Sequence, residues 1–539
     1  MTKTTNKPQP SVILSIKALL FGALHALAFA PDPLPHWLLP YIQIFILAWL
    51  FKQVIGLGLG KAMRLGWLFG FGQFSLGLYW LYISMNSYGG LAAPLAAGGV
   101  GALASFLALY PMLALLWAAW SSRLLSQSRR WPMQLLVACS WASAWAFTEW
   151  LRGTLLTGFP WLNIGYAHVE GVLAPWASLF GVVGVSWLAS FAAATIALFV
   201  AQKDSAHDAH AAVALGATIV LGLIGIGLNH IGWTSHIGKP LVIRLVQGNI
   251  EQSEKFDEQH LEYGLRTYLE LAGLDAKEAD GVPDLIVLPE TVIPMFQDIV
   301  APDLWRQWQA VSQKHNARLL MGIPLRDDAG RHHTNSAISF THDTPLEALH
   351  NGTPDTRYDK HHLVPFGEFI PPGFNWFVQA MEIPLGNFNS GPVRQPLLTV
   401  KDQIISPNIC YEDLFGEEIR THVQADQQAG PGASMLINMS NLAWFGDTWA
   451  LRQHLQIARM RVLETRRPML RATNTGLTAA IAPDGHVAAA LQTAQPGVLD
   501  VSIQGTTGLT PYVRWGNMPV LIWILIIMCG TGLRRRFSN

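Results

Sequence analysis

The chain has 539 residues, of which 50% are hydrophobic and only 13% charged, with a mean hydropathy of +0.27. That balance is too apolar for an ordinary soluble enzyme and indicates a membrane protein. Lys+Arg and Asp+Glu both number 36, so nothing suggests a polyanion-binding surface and nucleic acid is set aside, and 3 cysteines cannot make a disulfide framework.

Apolar runs fill the first part of the chain, at 12–29, 37–51, 65–85, 91–120, 131–150, 173–201 and 211–233. Each approaches or exceeds the ~20 residues a helix needs to cross a bilayer. A last run, 518–533, is somewhat short for a span. The 21 Trp suit interfacial belts. The start of the chain, with Lys3 and Lys7, an apolar run and Ala-Leu-Ala-Phe-Ala before Pro31, reads either as a cleaved signal peptide or as a retained first span. The spans that follow favour retention.

Charge sets the expected orientation. With a cytoplasmic N-terminus, the cytoplasmic connections carry Lys52, Lys61 and Arg64, then Arg123, Arg129 and Arg130, then Lys203, and finally Arg534, Arg535 and Arg536. The opposite connections near Asp32 and Ser87 carry no Lys or Arg. This is the positive-inside pattern. It predicts a membrane domain at 1–237 with about seven spans, a polar domain at 238–509 on the outer face, and a C-terminal span with a basic cytoplasmic tail at 510–539. Glu149 and Arg152 close the fifth span, as a snorkelling interfacial pair or a functional one. The Gly-, Pro- and aromatic-rich segment 156–166 after them suggests a re-entrant or interfacial loop rather than a crossing.

The polar block alternates strand-like and helix-like runs. Strands are expected at 241–247, 284–288, 318–323, 335–340, 397–400, 403–409, 434–438, 469–471, 478–482 and 498–503, and helices at 258–274, 302–315 and 448–465. This is an α/β pattern with a buried mixed sheet and helices outside. The irregular stretch 365–392 carries Phe369, Phe374, Trp376, Phe377 and Phe388. These aromatics either meet lipid or pack on the domain's own core, and a cover over the site is one expectation for them. No metal is expected, because His332–His333 and His361–His362 are adjacent pairs rather than i, i+4 ligands.

Three polar residues each sit past an extended run. Glu290 follows L-I-V-L-P, Lys360 lies in Y-D-K-H-H-L-V-P-F-G-E, and Cys410 closes a strand in S-P-N-I-C-Y-E-D. Cys139 and Cys529 lie in apolar runs and read as packing residues. A thiol at a strand-to-helix turn is either a nucleophile near backbone N–H groups or a buried packing residue. Beside a carboxylate that takes its proton and an ammonium that lowers its pKa and stabilises an oxyanion, it can hold an acyl group as a thioester.

With this Glu, Lys, Cys order the polar block resembles the carbon–nitrogen hydrolase (nitrilase) superfamily. Over nearly its full length the chain resembles that superfamily's integral membrane branch, the lipoprotein N-acyltransferases. The resemblance is carried by F-A-P (29–31), L-Y-W-L-Y-I-S (78–84), T-G-F-P-W-L-N-I-G-Y (157–166), V-Q-G-N-I (246–250), P-E-T, K-H-H-L-V-P-F-G-E and I-C-Y-E. It implies a polytopic α-helical membrane domain joined to an α-β-β-α sandwich, on the periplasmic face of a bacterial inner membrane, acting as a monomer without a cofactor. It implies that Cys410 takes an acyl chain from a phospholipid, typically phosphatidylethanolamine, and passes it to the α-amine of a diacylglyceryl-cysteine lipoprotein. Glu290 is then general base and acid, Lys360 the electrostatic stabiliser and Glu368 its tuner. Tyr411 and Glu412 shape the acyl site, with the Tyr411 N–H a candidate oxyanion donor. Phe256, Trp376, Phe377 and Trp444 are candidate substrate contacts. Where the family carries K-W-D, this chain has Lys255-Phe256-Asp257, which loses an indole N–H. A membrane-anchored amidase would use the same three residues but needs only one anchor, and a transporter with an outer sensing domain should carry mid-span charges that these runs lack.

Overall fold

The computed structural model describes residues 12–536 apart from 30–33, 129, 202–204, 256–257, 277–280, 328, 372–387 and 426–430. The chain forms two compact units. One draws on the chain up to Tyr82, on Pro94–Ile231 and on the chain from Asn517; the other on Ile83–Ala93 and Gly232–Gly516.

The first unit is helical: α1 (Val12–Ala26), α2 (Leu39–Val54), α3 (Leu59–Gly77), α4 (Ala93–Leu107), α5 (Leu109–Ser122), α6 (Trp131–Arg152), α7 (Ala177–Val200), α8 (Ser205–Leu228) and the C-terminal helix Met518–Arg536. Among the described residues, 6 stretches are long and apolar enough to cross a membrane, namely Val12–Phe29, His36–Val54, Ala93–Ser126, Ala174–Val200, Ala209–Leu228 and Met518–Arg536. Helices α3 and α6 have the length, at 19 and 22 residues, but Lys61, Arg64 and Gln73 in one and Gln134, Glu149 and Arg152 in the other lower their hydropathy. The run expected over 91–120 passes through Ala108 between α4 and α5, where Pro111 has no N–H to return to Leu107, but Ala108 keeps a helical backbone and the stretch stays continuous. The third run ends early. Helix α3 stops at Gly77, and Ser84–Tyr88 winds as a π-helix within the second unit.

Helix α7 is buried along most of its length and is rich in Ala, Gly and Ser, which lets neighbouring backbones approach closely. Indole–hydroxyl bonds tie the bundle across helices, Trp187 Nε1 to Ser143 Oγ at 3.0 Å and Trp117 Nε1 to Ser140 Oγ at 2.8 Å. Between α6 and α7 the chain runs through short 3₁₀ turns rather than a crossing helix. Glu149 and Arg152 do not snorkel there. They are 6% and 3% exposed and hold this loop's backbone: Arg152 donates to the carbonyls of Phe159 (2.9 Å) and Trp161 and to Asn163 Oδ1 (2.7 Å), and Glu149 Oε1 accepts from the Ile164 N–H at 3.0 Å. Irregular backbone within a membrane protein persists only where protein groups satisfy it in this way.

In the second unit the strands are β1 (Leu241–Gln247), β2 (Leu285–Val287), β3 (Arg318–Arg326), β4 (His333–Phe340), β5 (Thr356–Asp359), β6 (Leu398–Val400), β7 (Gln403–Ile409), β8 (Met435–Ser440), β9 (Met469–Thr473), β10 (Ala479–Ile481), β11 (Val487–Ala490) and β12 (Gly497–Ile503). Where the residue pattern alone suggested one mixed sheet, the described strands form two six-stranded sheets, ordered β12-β1-β2-β3-β4-β5 and β11-β10-β9-β8-β7-β6, with a two-residue ribbon beside them. Each has a parallel core, β1-β2-β3 in one and β7-β8-β9 in the other, flanked by antiparallel strands.

The pleat sorts side chains by layer. Leu285 and Val287 of β2 join Ile405, Ile409, Met435 and Ile437 in a core between the two sheets. Ile286, between them in sequence, faces the other way into a core with Trp305 and Trp308. Those come from α10 (Pro302–His315), which with α9 (Glu258–Ala272) covers the first sheet. Leu436 and Met469 pack likewise against α11 (Gly416–Val423) and α12 (Trp449–Thr465). The order of layers is α-β-β-α.

Candidate active site

Glu290, Lys360 and Cys410 come from three strand ends and converge. Glu290 lies past β2, in a turn that stays bonded to β3: the Leu288 N–H donates to the Leu320 carbonyl at 2.8 Å, the Gly322 N–H to the Pro289 carbonyl at 3.1 Å, and the Val292 N–H to the Gly322 carbonyl at 2.8 Å. Lys360 directly follows β5 and is 1% exposed. Its Nζ lies 3.3 Å from Glu290 Oε1 and 2.9 Å from Glu368. Cys410 follows β7 in a 3₁₀ turn, Cys410–Leu414, before α11 begins at Gly416. Its φ of 53° is left-handed, a strained conformation that a side chain adopts only where the surroundings enforce it. The thiol lies close enough to Glu290 and Lys360 for both charges to act on it.

The carboxylates are held from several sides. Glu290 Oε1 also accepts from Asn335 Nδ2 at 2.7 Å, and Oε2 accepts from the Asn441 N–H at 2.9 Å. Asn335 Nδ2 reaches Glu368 Oε1 at 2.7 Å as well, and the Val364 N–H donates to Glu368 Oε2 at 2.9 Å. Glu412 shapes the Cys410 turn from below. Its Oε2 accepts from the Ile409 N–H at 2.6 Å, and its Oε1 from Tyr358 Oη at 2.8 Å and the His361 and His362 N–H groups at 2.7 and 3.2 Å.

Electrostatics assign protonation. Burial works against the Lys360 ammonium, but Glu290 and Glu368 outweigh it and hold the group above its ordinary range. Burial first, and then the Glu290 charge, push the Cys410 thiol above its ordinary range, while Lys360 pulls it down without overcoming them. The lowering expected from the lysine is present, and burial and the Glu290 charge act against it. Burial likewise pushes Glu412 up to about 7.

The remaining candidates differ in position. Tyr411 is buried, its ring 5.3 Å from Phe415 and 5.8 Å from His362. Trp444 is half-buried on a short turn, Ala443–Phe445, with its ring edge-on to Tyr88 at 6.3 Å. Phe256, Trp376 and Phe377 lie outside the described residues, as does most of the irregular 365–392 stretch. Several groups in the site had been missed. Lys255, 4% exposed, donates to the Glu290 carbonyl at 3.1 Å, and burial pulls its ammonium down to about 8 although Glu290 works the other way. Asn335 and Asn441 were also missed, as were Asn438 and His454, which donate to the Cys410 carbonyl at 3.2 and 3.1 Å. The available signal was weak: a polar residue inside an otherwise apolar strand, as in M-L-I-N-M-S-N.

Comparison with known proteins places both units. The model of the apolipoprotein N-acyltransferase N-terminal domain matches residues 21–195, and that of the carbon-nitrogen hydrolases residues 242–512. A protein of Bordetella bronchiseptica named apolipoprotein N-acyltransferase is 50% identical over 536 residues, covering 98% of this chain and 97% of that one. Proteins of the same name from Ralstonia nicotianae and Chromobacterium violaceum are 42% and 36% identical, covering 96% and 99% of this chain and 93% and 96% of theirs.

Proposed function

Because the chain belongs to the apolipoprotein N-acyltransferase family and is an acyltransferase, we propose that it moves an acyl chain from a phospholipid, through a thioester on Cys410, to the N-terminal α-amine of a diacylglyceryl-cysteine lipoprotein. The observation that carries this reading is the convergence of the Cys410 thiol, the Glu290 carboxylate and the buried Lys360 ammonium, the last two 3.3 Å apart.

In the first half, Glu290 takes the thiol proton as the sulfur attacks the ester carbonyl carbon. The carbonyl π pair moves onto oxygen, and Lys360 and the Tyr411 N–H stabilise that oxyanion. When the pair returns, the ester C–O bond breaks, and the departing lysophospholipid oxygen takes the proton from Glu290. In the second half, the lipoprotein amine attacks the thioester and gives a proton to Glu290. The C–S bond then breaks, and Glu290 returns that proton to the thiolate. One carboxylate thus serves as base and acid in each half. All three groups come from one chain, which is consistent with a monomer. Phosphatidylethanolamine is the donor the family resemblance favours.

The charge asymmetry of the connections supports an inner-membrane protein with this domain on the periplasmic face, where both lipid substrates reside. The test is intact-mass analysis after mixing the purified enzyme with phospholipid alone. One acyl group on Cys410, removable by hydroxylamine and absent in Cys410→Ala, is expected. An unmodified Cys410 would falsify the thioester route.

A further inference from the structure

We propose that His454 and Asn438 are positioning residues that strengthen the oxyanion donor by polarising, from its carbonyl end, the peptide bond joining Cys410 to Tyr411. The inference rests on acyl transfer through Cys410 with the Tyr411 N–H facing the oxyanion.

The carbonyl of Cys410 and the N–H of Tyr411 are two ends of one conjugated unit. Donors drawing on the oxygen leave the N–H more positive, a cooperative strengthening of roughly 10–30% per bond. Two side chains from different elements do this. Asn438 Nδ2, in β8, and His454 Nε2, in α12, donate to the Cys410 carbonyl at 3.2 and 3.1 Å, and both residues are fully buried.

Each is fixed as a donor by its own partners. Arg471 Nη2 lies 2.8 Å from His454 Nδ1, and a guanidinium only donates. Nδ1 therefore accepts, and the ring proton sits on Nε2, pointed at the carbonyl. Arg471 is itself anchored by Asp413 Oδ2 at 2.8 Å. Asn438 is oriented in the same way, because its Oδ1 accepts from Ser440 Oγ at 2.5 Å and its Nδ2 also reaches Asn408 Oδ1 at 2.6 Å. An arrangement serving only to hold the left-handed Cys410 turn would need a partner for the carbonyl. It would not need two donors, one of them locked into a single tautomer by a charged group.

A spectroscopic readout separates polarisation from mere support. The full-length enzyme is acylated with phospholipid carrying a ¹³C-labelled ester carbonyl, and the thioester C=O stretch is read by difference infrared spectroscopy. In His454→Ala the band should move to higher wavenumber, and in His454→Gln, which keeps a donor, it should return part of the way. The acylation kcat should fall about tenfold in His454→Ala with KM unchanged, less than the ~10²–10³ lost when an oxyanion donor is deleted outright. A band identical in wild type and His454→Ala overturns this inference alone, whereas absence of thioester from the wild type overturns the acyl-transfer reading. If His454→Ala does not yield folded protein, Asn438→Ala removes the other donor, and an unmoved band there overturns the inference equally.

Discussion

At the scale of single residues, the site depends on opposing fields at one sulfur. Glu290 raises the Cys410 thiol and Lys360 lowers it, with burial the largest single influence on the thiol. The two substitutions therefore move thiol reactivity in opposite directions while both impair transfer. In Glu290→Gln a negative neighbour is gone, so the pH curve for iodoacetamide alkylation of Cys410 shifts to lower pH. In Lys360→Met a positive neighbour is gone, so the curve shifts to higher pH. On the proposed mechanism acyl transfer is expected to fall by about 10²-fold or more in both, because one would lose the proton carrier and the other the charge facing the oxyanion. A Glu290→Gln curve displaced to higher pH would contradict the assigned field.

The three residues were legible because each follows a strand-like or extended run, although the strand Thr356–Asp359 before Lys360 was itself not expected. Asn335 and Asn441 were not: Asn441 lies 151 positions from the Glu290 oxygen its N–H holds. Pairing over that distance leaves no local spacing to read, since it is created when two sheets stack.

At the scale of elements, close backbone contact sets where Glu290 sits. A Cβ on Gly322 of β3 would lie 2.5 Å from the Thr291 nitrogen, 2.7 Å from Glu290 Cα and 2.8 Å from the Pro289 oxygen. None of these is the movable tip of a side chain, and Thr291 has a left-handed φ of 54°, so the turn itself must shift. Gly322→Ala is expected to lower stability by about 1–3 kcal/mol. By displacing Glu290, it should also lower phospholipid-dependent turnover by about 10²-fold for a ~1 Å misplacement. Thermal unfolding and turnover check this, and wild-type turnover in a folded Gly322→Ala would show that the turn has slack. The same scale explains the loop after α6. Its Gly, Pro and aromatic content showed that it would not be a helix, but only the folded chain showed Arg152 and Glu149 turned inward to satisfy it.

At the scale of the molecule, charge and topology do different jobs. The connections expected in the cytoplasm hold Lys52, Lys61, Arg64, Arg123, Arg129, Arg130 and Lys203, while those near Asp32 and Ser87 hold no Lys or Arg. The proposed orientation predicts that, in a chain with its native cysteines replaced, Ser87→Cys reacts with an impermeant maleimide in intact spheroplasts. Gln127→Cys should react only after lysis. The reverse pattern would invert the topology. Within the second unit, β12 follows the whole second sheet in sequence yet pairs with β1 in the first. A buried double ion pair, Arg244 to Asp500 at 2.8 Å for both contacts, pins that register.

The residue pattern alone determined what depends on short-range physics: apolar lengths that suit a bilayer, the uneven sharing of positive charge among the connections, the period-2 strands, and the extended runs that end at Glu290, Lys360 and Cys410. Tertiary structure alone decided which strands share a sheet, where β12 returns, and which asparagines and histidine reach Glu290 and the Cys410 carbonyl. These rest on contacts between residues far apart in the chain and on the low dielectric that exists only once the sandwich has closed.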